Sequence, residues 1–332
     1  MSPRDASAEL LDAFETPLLL LDGAIVALAN SGARALLGQS IVGRYVLSVI
    51  PQAEAQHLLT TGGAGSIPLA GLGEDERRWE LSVRPAGRSG RLVRLEDRSL
   101  QHSAERMRTD FVANASHELR TPLAALIGII ETLQYAAEPG DAAAHERFLT
   151  IMSQEARRMQ RLIDDLMSLS RIEADRYVPP RELVEFDGIV RTSAYEVRDR
   201  HRVAVDASGS RCIVHGDHAQ LAQLVDNIIS NALRYAKPES VVRVTLECDG
   251  SSAQLRVADE GEGIAPEHLP RLTERFYRVA ASRSRALGGT GLGLAIVKHI
   301  VERHRGRLDI ASEPGVGTTV TVTVPLADQA LS

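Results

Sequence analysis

Hydrophobic positions recur at steps of three and four residues along two long stretches in the middle of the chain. In the first, from about residue 101 to 137, the repeating positions are Leu119, Leu123, Leu126, Ile130, Leu133 and Ala137. In the second, from about residue 142 to 177, they are Leu149, Met152, Ala156, Met159, Ile163, Leu166 and Ser170. This spacing is typical of coiled-coil seams. Because one helical hairpin cannot bury both seams, the pattern predicts a four-helix bundle formed by a homodimer.

The pattern before these helices is different, since short apolar runs alternate with turn signals over residues 1–98. Two runs meet at Asp22-Gly23, which is a hairpin signal, and short helices and a second pair of strands follow. The side chains expected on facing positions of that second pair are Trp79, Leu81 and Val83 in one strand, with Leu92 and Arg94 in its partner. This order predicts a small α/β unit and resembles a PAS domain, the sensor module of many signalling proteins.

The last part of the chain, residues 179–332, contains both the three- and four-residue spacing of helices and the alternating pattern of strands. A helix is predicted from Asp187 to His201, a strand near Ile213, and then a helix with one apolar face. The residues of that face are Leu221, Leu224, Val225, Ile228 and Ile229. Two strands, a glycine-rich segment, another amphipathic helix and a closing hairpin follow. The pattern predicts a multidomain α+β protein, with a helical domain at residues 99–178 between two α/β domains.

Composition narrows the possibilities further. The 332 residues allow two or three domains, and the net charge of −6 gives no reason to expect nucleic-acid binding. Cys212 and Cys248 are far apart, which predicts neither a disulfide framework nor a zinc site and fits a reducing compartment. The apolar run at 17–29 is broken by Asp22 and Gly23 and is too short to span a bilayer. We therefore expect a cytoplasmic chain, held at the inner face of a membrane only through a segment or partner outside it.

The first candidate for chemistry is His117, in the stretch FVANASHELRTP at residues 111–122. It lies two residues before the seam position Leu119 and so points off the seam, towards water. The neighbouring Glu118 can hold one ring nitrogen protonated so that the other presents its lone pair as a nucleophile. Pro122 leaves the carbonyl of residue 118 without its helical donor and is expected to kink the helix. A surface histidine on such a helix is usually only solvated, so its meaning depends on the segments that follow.

Three later segments carry residues suited to a ligand. Asn227 and Asn231 are four residues apart and share one face of a helix, where buried amides need partners. Asp259 ends a strand and opens DEGEG, in which an acid and glycines suit a base-edge hydrogen bond and close backbone approach. The run GGTGLGL opens an amphipathic helix, where backbone N–H groups and the helix dipole can receive phosphates.

In this order, the segments resemble the signature boxes of two-component sensor histidine kinases over about residues 100–326. SHELRTPL resembles the H box of the HisKA type, and Asn227 to Asn231 the N box. DEGEG resembles the G1 box, RFYR the F box with Phe276, and GGTGLGL the G2 box of a Bergerat-type ATPase domain. Two departures, Thr273 in the F box and HRG at 304–306, remove no group needed for chemistry. The closest resemblance is to the phosphate-regulon sensor branch.

The resemblance implies a two-layer α/β sandwich that binds ATP and Mg²⁺ under a lid at about residues 280–289. Asn231 would ligate Mg²⁺ with Asn227 beside it, and Arg234 and Tyr235 would line the phosphate side. Asp259 would meet the adenine amino group, with Gly261 and Gly263 around the base. The residues expected to wrap the phosphates are Gly289, Thr290, Gly291, Leu292, Gly293 and Leu294.

The implied reaction is ATP-dependent phosphorylation of His117, with Glu118 as general base and orienting residue, followed by transfer to an aspartate of a response regulator receiver domain. Thr121 would position a water molecule for phosphatase action on that regulator. One alternative is a Bergerat ATPase of the chaperone or mismatch-repair kind, which usually carries glutamate where Asn227 stands. Another is a scaffold that signals by binding alone, against which the intact Asn231, Asp259 and glycine boxes argue.

Overall fold

The computed structural model describes residues 3–61, 63–72, 77–87, 90–135, 142–175, 178–197, 199–207, 211–279 and 289–327. The chain divides into two compact units, Met1–Val112 and Ala113–Ser332. The predicted turn at 138–141 and nearly all of the predicted lid lie outside the described residues. In the described part of the chain, no helix carries an apolar stretch of the length needed to cross a membrane.

Unit 1 is an α/β unit built on one antiparallel sheet. Its elements are α1 (Pro3–Asp12), β1 (Leu18–Asp22), β2 (Ile25–Ala29), α2 (Ser31–Leu37), α3 (Val46–Val49), α4 (Ala53–Thr61), β3 (Gly65–Ala70), β4 (Arg78–Ala86) and β5 (Gly90–Asp97). The strand order is β2-β1-β5-β4-β3. The hairpin at Asp22-Gly23 is confirmed, with Gly23 at φ 60°. Strand β3 was not predicted, because its sequence GSIPLA contains glycine and proline and buries only Leu69.

The buried face of β4 is as predicted, with Trp79, Leu81 and Val83 in the core. The residues predicted to face them were wrong. The register pairs Leu81 with Leu95, so Leu92 and Arg94 lie on the opposite face of β5. The alternation was obscured by Arg91, an arginine at a buried position, whose guanidinium donates to the carbonyls of Leu59 and Gly23. A shift of one residue in register moves every side chain to the other face of a sheet.

Asn30 connects the segment around α1 to the sheet. It is fully buried, and its side-chain oxygen accepts the N–H groups of Leu18 and Ala33, each at 2.9 Å. Its amide nitrogen donates to three carbonyls at 3.2, 2.9 and 2.8 Å, those of Leu11, Phe14 and Thr16. The side chain therefore caps α2 and holds the chain between α1 and β1 at the same time.

The two long helices are α5 (Ser99–Tyr135), which continues through Pro122, and α6 (Ala142–Ala174), close to the predicted bounds. Several seam residues are more than 40% exposed in the single chain, namely Leu123, Ile130, Leu149 and Ile163. Another face of α6 is buried, through Leu162, Leu169 and Ile172. This second face was not predicted from the sequence. It accompanies packing of α6 against the last helix of the chain, described next.

The remaining elements form a two-layer α/β part of unit 2. They are β6 (Glu182–Glu185), α7 (Phe186–Glu196), β7 (Val203–Asp206), β8 (Ile213–Gly216), α8 (His218–Tyr235), β9 (Val242–Asp249), β10 (Ser252–Asp259), α9 (Gly293–Arg303), β11 (Arg307–Glu313) and β12 (Gly317–Pro325). Five strands form a sheet in the order β11-β12-β10-β9-β7, and β6 pairs with β8. Helix α8 packs against α7 and α9 on one side and against β9 and β10 on the other.

The apolar face of α8 is as predicted, and all five of its residues are buried. Helix α7 is shorter than predicted and ends at Glu196, after which residues 200–202 form a short 3₁₀ turn. Strands β6 and β7, of four residues each, were not predicted from the sequence.

The expectation that the two cysteines are unpaired is wrong. Cys212 and Cys248 are joined in a disulfide, with their Cα atoms 6.2 Å apart. Cys212 directly precedes β8, and Cys248 lies near the end of β9. They are 36 positions apart in the sequence with α8 between them, so their spacing gave no indication of their contact.

Candidate functional site

His117 lies on α5 with its side chain exposed, as the off-seam spacing predicted. The carboxylate of the neighbouring Glu118 is held by two arginines, Arg278 at 2.9 Å and Arg158 at 3.5 Å. These guanidinium groups are only 7% and 14% exposed, so the pairing is well shielded from water. In this arrangement Glu118 is therefore engaged with cations, and the ring of His117 points into solvent without it.

Thr121 follows one turn after His117 and is exposed. Its hydroxyl donates to the backbone carbonyl of His117 at 3.2 Å, a bond that fixes the direction of the hydroxyl proton. The oxygen keeps lone pairs that can accept a further hydrogen bond. Pro122, the next residue, is buried.

The two asparagines of α8 meet the start of α9. A Cβ atom built on Gly293 would lie 3.4 Å from Asn227 Oδ1 and 3.7 Å from Asn231 Nδ2, in van der Waals contact, so the two amides lie directly beside the helix start. Arg234 donates to Asn231 Oδ1 at 3.4 Å. The Nδ2 atom of Asn227 is buried, and among the described residues it has no hydrogen-bond partner. A buried amide without a partner is costly, which points to a ligand at this position.

The acidic corner of the site lies at the end of β10. Asp259 accepts the N–H of Gly261 at 2.8 Å, and burial raises the pKa of its carboxyl group. A Cβ atom on Gly261 would come within 2.5 Å of the carbonyl of Tyr235, the last residue of α8. Any other residue would thus push this corner away from α8. A Cβ atom on Gly263 would likewise collide with the backbone carbonyl of Glu313.

A third contact joins the F-box region to the glycine loop. The N–H of Phe276 donates to the carbonyl of Gly291 at 2.8 Å, and both residues have positive φ, 63° and 74°. Gly291 Cα has no room for a side chain, since an added Cβ would lie 2.9 Å from Phe276 Cα. The boxes that the sequence separated by tens of residues therefore line one continuous site.

The glycine loop leads directly into α9. Gly289 and Leu292 are buried, and α9 starts at Gly293, followed by the half-buried Leu294. Among the residues that the structure describes, no side chain caps this start, so the first N–H groups of the helix are available to an anion. The unpartnered Nδ2 of Asn227 beside it is a further donor, so the cradle fits a nucleotide phosphate. The amide oxygens of Asn227 and Asn231 are ligands of the kind that an accompanying Mg²⁺ takes.

Three residues of the site were not predicted from the sequence. The hydroxyl of Thr290 donates to Asp165 on α6 at 2.8 Å, and burial raises the pKa of the Asp165 carboxyl group. Arg158 and Arg278 are the other two, through their contacts with Glu118. Arg278 is the last residue of the F box RFYR, and this position is the only local signal that could have drawn attention to it. The other two lie on a helix whose charged positions look like ordinary solvated residues.

Two protein families match separate segments of the chain, and each segment contains part of the site. Residues 107–175 match the His Kinase A (phospho-acceptor) domain. Residues 216–328 match the histidine kinase-, DNA gyrase B- and HSP90-like ATPase family. The first match contains His117 and Glu118, and the second contains α8, Asp259 and the glycine loop.

Curated proteins and solved structures give the same result. The phosphate regulon sensor protein PhoR of Pseudomonas aeruginosa is 41% identical over 249 residues, which cover 74% of this chain and 56% of that protein. The sensor-like histidine kinase SenX3 of Mycolicibacterium smegmatis is 36% identical over 264 residues, covering 76% and 64%. Histidine kinase ThkA, solved in complex with the response regulator protein TrrA, shares the fold over 99% of this chain and 100% of its own, with a TM-score of 0.52 at 15% identity.

The chain spans 56% and 64% of the lengths of these two curated relatives. Within that span it carries the phospho-acceptor domain and the ATPase domain in the same order. The chain therefore belongs to the sensor histidine kinases of two-component systems.

Proposed function

We propose that this chain is a protein-histidine kinase that transfers the γ-phosphoryl group of ATP to His117 and then to an aspartate of a response regulator. One observation carries the proposal. Arg278, next to the glycine loop, reaches across to Glu118, the neighbour of His117, at 2.9 Å. The phosphate cradle and the acceptor histidine therefore belong to one site.

The nucleotide is bound by groups that the described contacts bring together. The uncapped start of α9 receives the phosphates, and Asp259 accepts from the adenine amino group. Arg234 and Tyr235 line the phosphate side, and Gly261 and Gly263 allow the backbone to approach the base. The amide oxygen of Asn231, which accepts from Arg234 at 3.4 Å here, would hold Mg²⁺, a cation that prefers oxygen ligands. The ion would supply charge neutralisation on the phosphates.

His117 attacks the γ-phosphorus in line, so that an N–P bond forms as the bond to the ADP oxygen breaks. To assist, Glu118 must exchange Arg278 and Arg158 for the ring N–H of His117. The released Arg278 is then available for the negative charge of the phosphoryl group. In this way a single exchange of partners activates the nucleophile and supplies a cation.

The seams of α5 and α6 support a homodimer. Leu123 and Ile163 leave 47% and 42% of their surface in solvent, although they belong to continuous apolar stripes. A second copy would cover these stripes in a four-helix bundle. We assign residues 1–98 to a sensor domain, residues 99–178 to a dimerisation and phosphoacceptor domain, and residues 179–332 to a catalytic domain.

The second reaction follows from the position of Thr121. Its hydroxyl proton is committed to the His117 carbonyl, so its oxygen can accept from a water molecule beside a docked phosphoaspartate. A response regulator is the expected partner, as in the solved complex of ThkA with TrrA. The likeness to a phosphate regulon sensor supports a role in phosphate-regulon signalling. Because ATP and receiver domains are cytoplasmic, we assign this chemistry to the cytoplasm.

Incubation with γ-labelled ATP tests the reaction. The label is expected on His117, stable in alkali and labile in acid. His117→Gln should carry no label yet bind a fluorescent ATP analogue as the unmodified chain does. Label that survives in His117→Gln, or ATP hydrolysis without any labelled protein, would contradict the proposal and favour a Bergerat ATPase of the non-kinase kind.

A further inference from the structure

The disulfide between Cys212 and Cys248 encloses the helix that carries Asn227 and Asn231. The bond spans 36 residues, and α8 lies entirely within the loop. The Cα separation of 6.2 Å is within the range that a disulfide bridges without backbone movement.

Cys212 also organises the backbone around it. Its carbonyl accepts the N–H of Phe186 at 2.8 Å, and its own N–H donates to Asp187 at 3.2 Å, both at the start of α7. It is 2% exposed. The bond therefore links α7, β8 and the lead into α8 to strand β9 of the large sheet.

The same junction has other ties that do not depend on sulfur. The N–H of Ala327 donates to the carbonyl of Ile213 at 2.9 Å, and Val214 bridges to Leu326. Loss of the disulfide should therefore loosen the position of α8 relative to the sheet without unfolding the domain.

We propose that Cys212 and Cys248 form a reversible redox site that sets the stability of the ATPase domain and its affinity for nucleotide. The part that concerns nucleotide rests on the function proposed above. Opening needs a dithiol reductant, and closing needs a disulfide of the same chemical class.

The difference in exposure sets the order of events. A thiolate of the dithiol attacks Sγ of the partly exposed Cys248, forms a mixed disulfide there and releases Cys212 as a thiolate. The second thiol of the reductant then attacks the mixed disulfide and releases Cys248. Two electrons pass to the protein, the reductant leaves as a disulfide, and the cysteines take up two protons.

The test compares the full chain after treatment with dithiothreitol and with oxidised dithiothreitol. The chain contains two cysteines, so alkylation in denaturant counts the reduced sites directly. We expect the oxidised form to melt roughly 10 °C higher, because the bond closes a long loop in the unfolded chain. We also expect it to bind a fluorescent ATP analogue about three- to tenfold more tightly, since a preorganised site binds better.

Cys248→Ala is the matched control, because it removes the less buried partner and leaves the packing at Cys212 intact. In this variant both the melting temperature and the nucleotide affinity should be the same under the two treatments. Fluorescence of Trp79, the single tryptophan, reports unit 1 and should not respond to either.

Two results would overturn the inference. In the first, both cysteines are still alkylated after treatment with oxidised dithiothreitol. In the second, the disulfide forms but changes neither the melting temperature nor the affinity for the ATP analogue. A chain that binds no nucleotide in either state would instead contradict the proposed function, together with the nucleotide part of this inference. The melting temperatures would still decide the stability part.

Discussion

Mild acid is expected to destabilise the ATPase domain through His304. This residue is 4% exposed and lies at the end of α9. Its Nε2 accepts the N–H of Asp217 at 3.1 Å, so its Nδ1 carries the proton and donates to the carbonyl of Ile300 at 2.7 Å. Both ring nitrogens therefore have hydrogen-bond partners only when the ring is neutral. A second proton, on Nε2, would point at the N–H of Asp217 and remove that hydrogen bond.

Burial lowers the pKa of His304, helped by the positive charge of Arg303 and opposed by the Ile300 carbonyl and by Asp217. The unfolded chain therefore takes up a proton first as the pH falls. The stability contributed by the neutral ring is fully present above the unfolded pKa of about 6.5 and is lost between that value and the lower folded pKa. From about pH 7.5 to 5.5 the loss is up to about 1.4 kcal/mol, the linkage limit for one pH unit.

His304→Gln provides the comparison, because an amide can keep one donor and one acceptor but cannot titrate. Urea unfolding of both proteins would be followed by far-UV circular dichroism at the two pH values. Fluorescence of Trp79 in unit 1 serves as an internal reference. The unmodified chain should lose more stability than the variant. An equal loss in both proteins would refute the assignment of this effect to His304.

Three further predictions concern the proposed reaction. Asp259→Asn should weaken binding of a fluorescent ATP analogue by about 1.5–3 kcal/mol, the usual contribution of a hydrogen bond to a charged group, and unchanged affinity would refute its role at adenine. Thr121→Ala should keep labelling of His117 while slowing decay of a pre-phosphorylated regulator in the presence of ADP, and parallel loss of both would indicate a purely structural role. Replacing Leu126 and Ile163 with glutamate should convert a dimer to a monomer in light scattering, and a monomeric unmodified chain at micromolar concentration would contradict the bundle.

Local periodicity accounts for the parts of the structure that the sequence predicted. The apolar face of α8 repeats over several turns, so its burial and the common face of Asn227 and Asn231 follow from helical geometry. The off-seam position of His117 follows from the same rule. The hairpin at Gly23 was predicted correctly because Asp-Gly is a common pair in hairpin turns.

Contacts between distant elements could not be predicted in this way. Thr290 and Asp165 are 125 residues apart, and their hydrogen bond depends on how the glycine loop docks on α6. Arg278 is 160 residues from Glu118 and Arg158 lies on the other long helix, so neither contact follows from local spacing. Arg91 was missed for a different reason, since a buried arginine that pairs with carbonyls breaks the apolar alternation on which strand prediction relies.

Asn30 has a consequence for mutational scans of unit 1. Its oxygen accepts two hydrogen bonds and its nitrogen donates to three carbonyls, so aspartate lacks the donors and glutamine adds a methylene in a closed core. A saturation scan should therefore find this position intolerant of every replacement. Such sensitivity, deep inside the unit proposed to be the sensor, resembles that of a ligand contact. Here it arises from chain geometry, and a screen for signal-binding residues should set Asn30 aside as a folding residue.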